Sequence, residues 1–506
     1  MELTGFYTTI NSKLHLTNNI MKSKFLLLAL ISLIFTSSHA QTSQVLYFLN
    51  LPQNNFLNPA FRPLSKVYVG VPGLSGINLN VSNNFFNFSD LFTKGVEVSE
   101  YTLPFLDPSF NPEEFVNRVK KINYLEPQVN VQLLGVGFTL NNGLYLYLDV
   151  NQRTEASIIF PRDLVSLGFL GNQEFAGQTF DLKALRTEVI SYQELGFGFS
   201  KTIIPRLRIG ARGKILLGVG AAKFENEVLN LTVNNDFTNT LNADMRLTVS
   251  GPLNFILDSG NRIDKVEFDD ERLNPGNGFF INGKNLGLGA DLGAEFELTD
   301  RILLSASITD LGFIRWKSDI SNLKIQGNAQ LQGVDFEDIR NGSSTLSDLG
   351  KGLTDSLKNA LVFTDSQEPF TTFLPSGLAL SGKYIINDKF SAGLLSYTRI
   401  VNKHVREAVT LSANFNLGNI LTTGLTFTAN NRSYASLGAG FGVRAGFAQF
   451  YFLFDRLPLK WSWVSSGSGK ISLPSRWHTI NGMFGINLVF GNRKIKNTEK
   501  SPTEAV

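Results

Sequence analysis

The chain has 506 residues, with 46 basic and 43 acidic side chains, a net charge of +3 and no cysteine. So small a net charge does not favour nucleic-acid binding, and the lack of cysteine excludes a disulfide scaffold or a cysteine-ligated zinc site. After residue 40 the sequence has no run of about 18 apolar residues, which excludes a bundle of transmembrane helices.

The first 40 residues have the pattern of an upstream extension followed by a secretory signal peptide. Lys22 and Lys24 form a positive region, residues 25–35 are apolar, and small residues lead to Ala40. This layout predicts cleavage near Ala40. A membrane anchor is the alternative, but the apolar run is far shorter than the roughly 20 residues that an anchor needs. Residues 1–40 are therefore excluded from the fold.

Residues 41–65 form an N-terminal lead or plug segment, because their prolines remove backbone donors that a regular strand requires. In the insertion that follows the first strands, Asn111 is expected to cap a helix from Pro112 to Ile122. A second helix is predicted over 162–170. The predicted strands of this part are 67–71, 77–81, 127–140 and 143–159.

From residue 191 onward, large apolar residues alternate with glycine, hydroxyl and amide residues. The clearest case is 286–298, and the same period of two returns at 409–417 and 437–447. Such alternation is typical of β-strands with one apolar face, and its length matches the roughly 9–11 residues of a membrane-spanning strand. The sequence predicts an all-β fold, a transmembrane antiparallel β-barrel of about 14 strands (12–16) with helical loop or plug insertions.

The barrel is assigned to residues 66–490, and residues 491–506 are predicted to be a disordered basic tail. Alternation weakens in three insertions, at 83–126, 221–282 and 319–370. The second is interpreted as a long hairpin beyond the bilayer, and the third contains a predicted helix over 346–360. Aromatic residues near strand ends, among them Trp316 and Tyr451, are expected in girdles at the membrane interfaces.

Several charged residues fall on the polar faces of predicted strands and are expected to point into the lumen. They are Arg212, Lys214, Asp291, Glu295, Glu297, Arg399 and Arg444. Opposite charges there either pair with one another and fix a plug or line a polar pathway, and pairing is the favoured interpretation. The glycine-rich stretches 287–293 and 438–442 lie within strands, so we expect them to keep the wall thin where a plug comes close.

The segment Asn58-Pro59-Ala60, after a processed signal and just before Gly-rich alternating strands, resembles the outer-membrane long-chain fatty-acid transporter superfamily. Residues 290–297 and 307–316 also resemble an uncharacterised group of Gram-negative outer-membrane barrels related to that superfamily. The resemblance covers most of 41–490. It implies a 14-stranded barrel, a lumen partly filled by N-terminal residues and a lateral opening for apolar ligands. The long central insertions and the basic tail depart from the transporters.

The resemblance implies passive transport of a hydrophobic or amphipathic small molecule, bound in an apolar pocket and released laterally. The alternative is a surface or secretion scaffold that binds a protein partner through its long loops. A hydrolase would need Ser412 activated by His404, but a solvated turn at His404 is the favoured interpretation. No enzyme activity, cofactor, metal or nucleic-acid partner is expected. The signal peptide and barrel predict the outer membrane of a Gram-negative bacterium, surrounded by outer-membrane lipid.

Overall fold

The computed structural model describes residues 44–86, 97–98, 111–269, 283–331, 360–401, 404–430, 433–457, 461–466, 469–474 and 479–492. Across these ranges, no helix has the length and apolar character needed to cross a membrane. In chain order, strands β1 to β25 are Val67–Gly70, Ile77–Asn83, Glu97–Val98, Ile122–Thr139, Tyr145–Pro161, Thr179–Asp181, Arg186–Ile204, Leu207–Val233, Asn239–Ser250, Leu253–Leu257, Ile263–Phe268, Leu286–Thr299, Ile302–Trp316, Asn322–Leu331, Val362–Ser366, Phe370–Phe373, Ser376–Ile385, Phe390–Val401, His404–Leu417, Leu421–Asn430, Ser433–Ala445, Ala448–Phe454, Trp461–Ser466, Gly469–Pro474 and Thr479–Phe490.

The helical elements are short. They are α1 (Gln44–Phe48), α2 (Pro112–Arg118), α3 (Arg162–Leu170) and two 3-10 turns, Pro52–Phe56 and Gln173–Phe175. Asn111 caps α2 as predicted, since its Oδ1 accepts a hydrogen bond from the backbone N–H of Glu114 at 3.0 Å. The predicted end at Ile122 is wrong, because Val119 is already extended and Ile122 begins β4. The α3 bounds agree with the prediction, whereas residues 346–359 of the third predicted helix lie outside the described residues.

The main sheet closes into a barrel of fourteen antiparallel strands. The first wall strand consists of β1 and β2, separated at residues 71–76, and both halves pair with β4 on one side and β25 on the other. The remaining order around the wall is β4, β5, β7, β8, β12, β13, β17, β18, β19, β20, β21, β22 and β25. Closure removes the open edges of the wall, and the predicted fold is confirmed.

The two faces of the wall differ as the alternation predicts. Leu288, Leu292 and Leu425 point outward and are 61%, 54% and 62% exposed. The intervening positions point inward, and buried polar side chains such as Thr410 and Asn487 occupy them. An apolar exterior around a polar interior is the arrangement of a membrane-spanning barrel.

Connection length distinguishes the two ends of the barrel. The turns at 140–144, 205–206, 300–301, 386–389, 418–420 and 446–447 lie at the end where β1 begins and β25 ends, here called the short-turn end. The strand ends from which the three insertions leave lie at the opposite end, here called the long-connection end.

An extension of the sheet rises from the long-connection end. Strand β8 has 27 residues, and its upper part leaves the wall to pair with β6 and β9. Strands β14 and β15 continue this extension, whose apolar core includes Leu229, Leu241, Leu323 and Phe363. The long hairpin expected within 221–282 corresponds here to β8 and β9, and its position relative to a bilayer stays a prediction.

A bulge in β13 reverses which side chains face the lumen. Ala290 pairs with Leu311 and Leu292 pairs with Ile308, so one extra residue stands on β13, and Asp310 has a φ of 58°. Beyond the bulge Trp316 therefore points inward, and it is fully buried. Tyr451 also faces the lumen and donates to the carbonyl of Ser75 at 2.6 Å. The expected interfacial girdle positions of Trp316 and Tyr451 are wrong.

Candidate functional site: a plugged polar lumen

The N-terminal segment 44–62 lies inside the barrel. Its apolar residues from Val45 to Leu51 form a buried cluster with wall residues such as Leu395 and Leu453. The backbone N–H of Val45 donates to Asp455 Oδ1 at 2.7 Å. This segment, here called the plug, is therefore fixed by both apolar packing and specific hydrogen bonds.

Gln53 ties the plug to the broken first strand. Its Nε2 donates to Asn487 Oδ1 at 2.8 Å, to the carbonyl of Ser75 at 3.0 Å and to Gln132 Oε1 at 3.2 Å. Gln53 is completely buried. Since buried amides are costly to leave unpaired, this network holds the plug across the lumen.

The Asn58-Pro59-Ala60 motif seats the plug against the wall. Asn58 Nδ2 donates to the carbonyls of Ala294 and Ala306 at 3.3 and 3.4 Å, while its Oδ1 accepts from the N–H of Ala60 at 2.9 Å. Ser200 Oγ donates to the carbonyl of Ala60 at 2.8 Å. The motif that carries the resemblance is therefore hydrogen-bonded to strands β7, β12 and β13 of the wall.

Glycines lie where the plug touches the wall, as their pattern predicts. A Cβ at Gly293 would collide with Asn58 Oδ1, and one at Gly440 would stand 2.7 Å from Val45 Cγ1. Only glycine allows so close an approach without moving the plug.

Arg212 is the centre of a buried ion cluster beside the plug. Its guanidinium contacts the carboxylates of Asp149, Glu194 at 2.5 Å and Asp291 at 3.2 Å, and it lies over the ring of Phe56 at 5.1 Å. The four charged side chains are buried. Pairing offsets the cost of burying these charges, and loss of one partner would leave the others uncompensated.

Lys214 and Arg153 extend this cluster. Lys214 Nζ lies 2.6 Å from Asp291 and 2.5 Å from Asp310, and Arg153 lies 3.2 Å from Asp310 and 3.3 Å from Glu194. The backbone N–H of Asp310 also donates to Asp291 at 2.7 Å. The bulge therefore delivers one more carboxylate to the cluster.

The other expected lumen charges are dispersed. Arg399 pairs with Glu155 at 2.6 Å, and Glu295 pairs with Arg208 at 2.5 Å. Glu297 is exposed, and Arg444 donates to Asn492 at 2.7 Å near the short-turn end. Three of the seven charges that the sequence predicted to face the lumen, Arg212, Lys214 and Asp291, belong to the central cluster, although the sequence did not predict which of the seven would pair with one another. Sequence reasoning missed Asp149, Arg153, Glu194 and Asp310, of which the first three lie on inward positions of alternating strands.

Two neighbouring cavities lie above the plug. The mid-lumen cavity has a volume of about 110 Å³, and the outer cavity has about 40 Å³. Both are lined by Gln128, Glu155, Pro375 and Arg399. The mid-lumen lining combines amide and charged side chains with apolar residues of the plug, so the expected apolar pocket is replaced by a mixed one.

The contacts of Ser412 do not support the pairing with His404 that a hydrolase would need. Its Oγ accepts from Asn414 Nδ2 at 3.0 Å, and the side chain of His404 lies outside those that the structure describes. Among the described residues, no group of three or more His, Cys, Asp and Glu side chains is placed to hold a metal ion.

The closed wall, apolar exterior and plugged interior define the chain as a membrane-type β-barrel. Residues 59–455 match the family of unknown function DUF5723, and the chain belongs to that family. The expectation of an uncharacterised barrel family is thereby confirmed. No curated protein matches the chain in sequence.

Similar solved structures include two toluene transporters and a FadL homologue. The P. putida toluene transporter TodX is 10% identical with a TM-score of 0.39, over 90% of this chain and 97% of that chain. A Pseudomonas aeruginosa FadL homologue is 12% identical with a TM-score of 0.38, over 90% and 99%. The Ralstonia pickettii toluene transporter TbuX is 8% identical with a TM-score of 0.37, over 86% and 93%. The fold assignment rests on the pairing of this chain's own strands.

Proposed function

We propose that this barrel passively transports an amphipathic small molecule across the outer membrane of a Gram-negative bacterium. One observation carries the proposal, namely a pair of neighbouring cavities with shared lining residues, the larger of which is bounded by residues of the plug. Deep, partly enclosed cavities with both apolar and polar lining are the usual binding places for small molecules. The ligand enters at the long-connection end, which faces outward in barrels of this kind.

The plug blocks a direct path to the short-turn end. Beyond it, a third and smaller cavity of about 20 Å³ lies between the plug and the short turns, beside Asn50, Ser65 and Arg444. Passage therefore requires either a shift of the plug or a lateral exit. A lateral exit is supported by the mid-lumen cavity, which reaches Gly76 and Gln132 beside the interrupted first strand.

The test is flux into proteoliposomes that contain the mature chain, with radiolabelled hexyl β-D-glucoside and hexyl sulfate as probes. Gln128→Trp places an indole where the two cavities meet, so flux of any transported probe should fall nearly to that of empty liposomes. Val129→Trp is the matched control, because Val129 is the next residue and faces outward at 42% exposure. Heat-modifiable gel mobility verifies folding of both variants. Wild-type flux through folded Gln128→Trp would contradict the proposed route.

Processing and location belong to the same proposal. Removal of residues 1–40 near Ala40 leaves a mature chain that begins three residues before α1. N-terminal sequencing of protein from outer-membrane fractions tests this directly. A mature chain that still carries residues 22–40 would contradict signal cleavage.

The scaffold alternative is favoured by the sheet extension formed by β6, β8, β9, β14 and β15. It has its own apolar core and projects beyond the barrel wall. If it binds a protein, replacing 225–246 by a short Gly-Ser linker should remove a co-purified partner and leave probe flux intact. Loss of flux with unchanged partner content would contradict the scaffold function.

A further inference from the structure

We propose that the mid-lumen cavity selects an uncharged ligand whose head carries several hydroxyl or amide groups, as in an alkyl glycoside. This inference rests on the proposed function, since it specifies the ligand of the same cavity. The proposed ligand differs from a purely hydrophobic molecule, which has no polar head, and from a carboxylate, whose head is charged.

Two rows of inward-facing side chains, five of which are amides, run across four neighbouring wall strands. Strand register alone brings them together, because Asn481 pairs with Asn80 and Met483 pairs with Asn78. The rows are Asn481, Asn80, Gln128 and Glu155, and Met483, Asn78, Asn130 and Arg153. Cross-strand neighbours on one face have Cβ atoms about 5 Å apart, so adjacent amides contact adjacent polar groups of one ligand.

Two of these amides have unused hydrogen-bonding capacity. Within the described chain, Asn130 Oδ1 and Asn481 Oδ1 are buried and accept no hydrogen bond. Asn481 is only 3% exposed, and both residues line the cavity. A buried amide oxygen without a donor is unfavourable, and a ligand hydroxyl or N–H supplies that donor.

The cations of this cavity already have carboxylate partners. Arg153 is paired with Asp310 and Glu194, and Arg399 is paired with Glu155. An anionic head would compete with these fixed carboxylates and meet their repulsion. Neutral hydroxyl and amide groups bring no such cost.

The floor of the cavity accounts for the apolar part of the ligand. Leu46, Phe56 and Leu57 of the plug line it, and Tyr397 of the wall adds an aromatic ring. Polar rows above an apolar floor match an amphipathic molecule with a neutral polar head.

The experiment measures binding in nanodiscs and flux in proteoliposomes for hexyl β-D-glucoside and hexyl sulfate, which share one alkyl chain. Asn130→Leu and Asn481→Leu remove the amides at similar volume. Each should weaken glucoside binding and flux about tenfold, the equivalent of one buried hydrogen bond. Asn414→Leu is the control, because Asn414 also faces inward with 3% exposure but lies outside the cavity.

The outcomes separate this inference from the proposed function. Glucoside binding that depends on Asn130 and Asn481 supports the ligand class. If such binding occurs without flux, only the proposed transport is overturned. Equal binding and flux of both probes, unchanged in the leucine variants, overturn the ligand class and leave passage standing. If neither probe binds or crosses, both proposals are overturned.

Discussion

The substitution Gly210→Ala tests whether the Asn58-Pro59-Ala60 motif latches the plug. Gly210 of β8 pairs directly with Gly293 of β12, and a Cβ at Gly210 would collide with the backbone of Pro59 and Ala60. Because backbone atoms cannot turn aside as a flexible side chain can, the plug must shift. Overpacking of this kind costs about 1–3 kcal/mol, which raises the undocked population about 5- to 150-fold.

The absence of cysteine makes a clean assay available. A single Asn55→Cys replacement puts the only thiol of the chain in the plug, at a residue that is 1% exposed. Both polar side-chain atoms of Asn55 lack a hydrogen-bond partner among the described residues, so this replacement should cost little. Maleimide labelling then requires undocking, and its rate follows the undocked population.

Gly213→Ala is the matched control on the same strand. Gly213 faces outward, and a Cβ there would meet nothing within 4 Å. We expect faster labelling in Gly210→Ala and an unchanged rate in Gly213→Ala. Equal labelling rates in the two variants would show that the close contact between the plug and the wall does not require glycine at position 210.

Three further substitutions follow from the contacts described above. Asn58→Ala removes two wall hydrogen bonds and one internal bond, and at about 2 kcal/mol it should speed the same labelling about 30-fold; an unchanged rate would show that the motif is not a latch. Arg212→Met leaves buried carboxylates unpaired and should lower unfolding free energy by about 3–5 kcal/mol in urea titrations followed by gel mobility. The exposed Arg315→Met is its control, and equal midpoints would contradict a structural role of the cluster. Trp316→Phe loses the 2.9 Å bond to Thr372 and should cost about 1–2 kcal/mol in the same titration, whereas no change would show that the bond contributes nothing.

Much of the wall was predictable, because alternation is a local property with a period of two. The apolar positions of 286–298 and their inward neighbours, such as Asp291, follow from sequence spacing alone. Glycine stretches within strands likewise predicted close contact with a plug. The end of α2 was not predictable, because entry into β4 ended a helix that local preferences would have continued.

At a β-bulge, the alternation along one strand no longer predicts which side chains face the lumen. The extra residue at Asp310 reverses the facing of every later side chain in β13, and it turns Trp316 from the expected membrane interface into the lumen. The φ of 58° at Asp310 is held by its contacts with Asp291 and Lys214, which lie on other strands. Nothing in the neighbouring sequence announces this conformation.

The sequence by itself determined the barrel class, the approximate strand number and the faces of uninterrupted strands, since each depends on spacing between near neighbours. Only the tertiary structure decided which charges pair, where the plug sits and that Asn80 and Asn481 stand side by side. These relations depend on cross-strand register between residues hundreds of positions apart, and one bulge alters them. The candidate ligand site depends almost entirely on cross-strand register, because its two rows of side chains run across the strands and not along them.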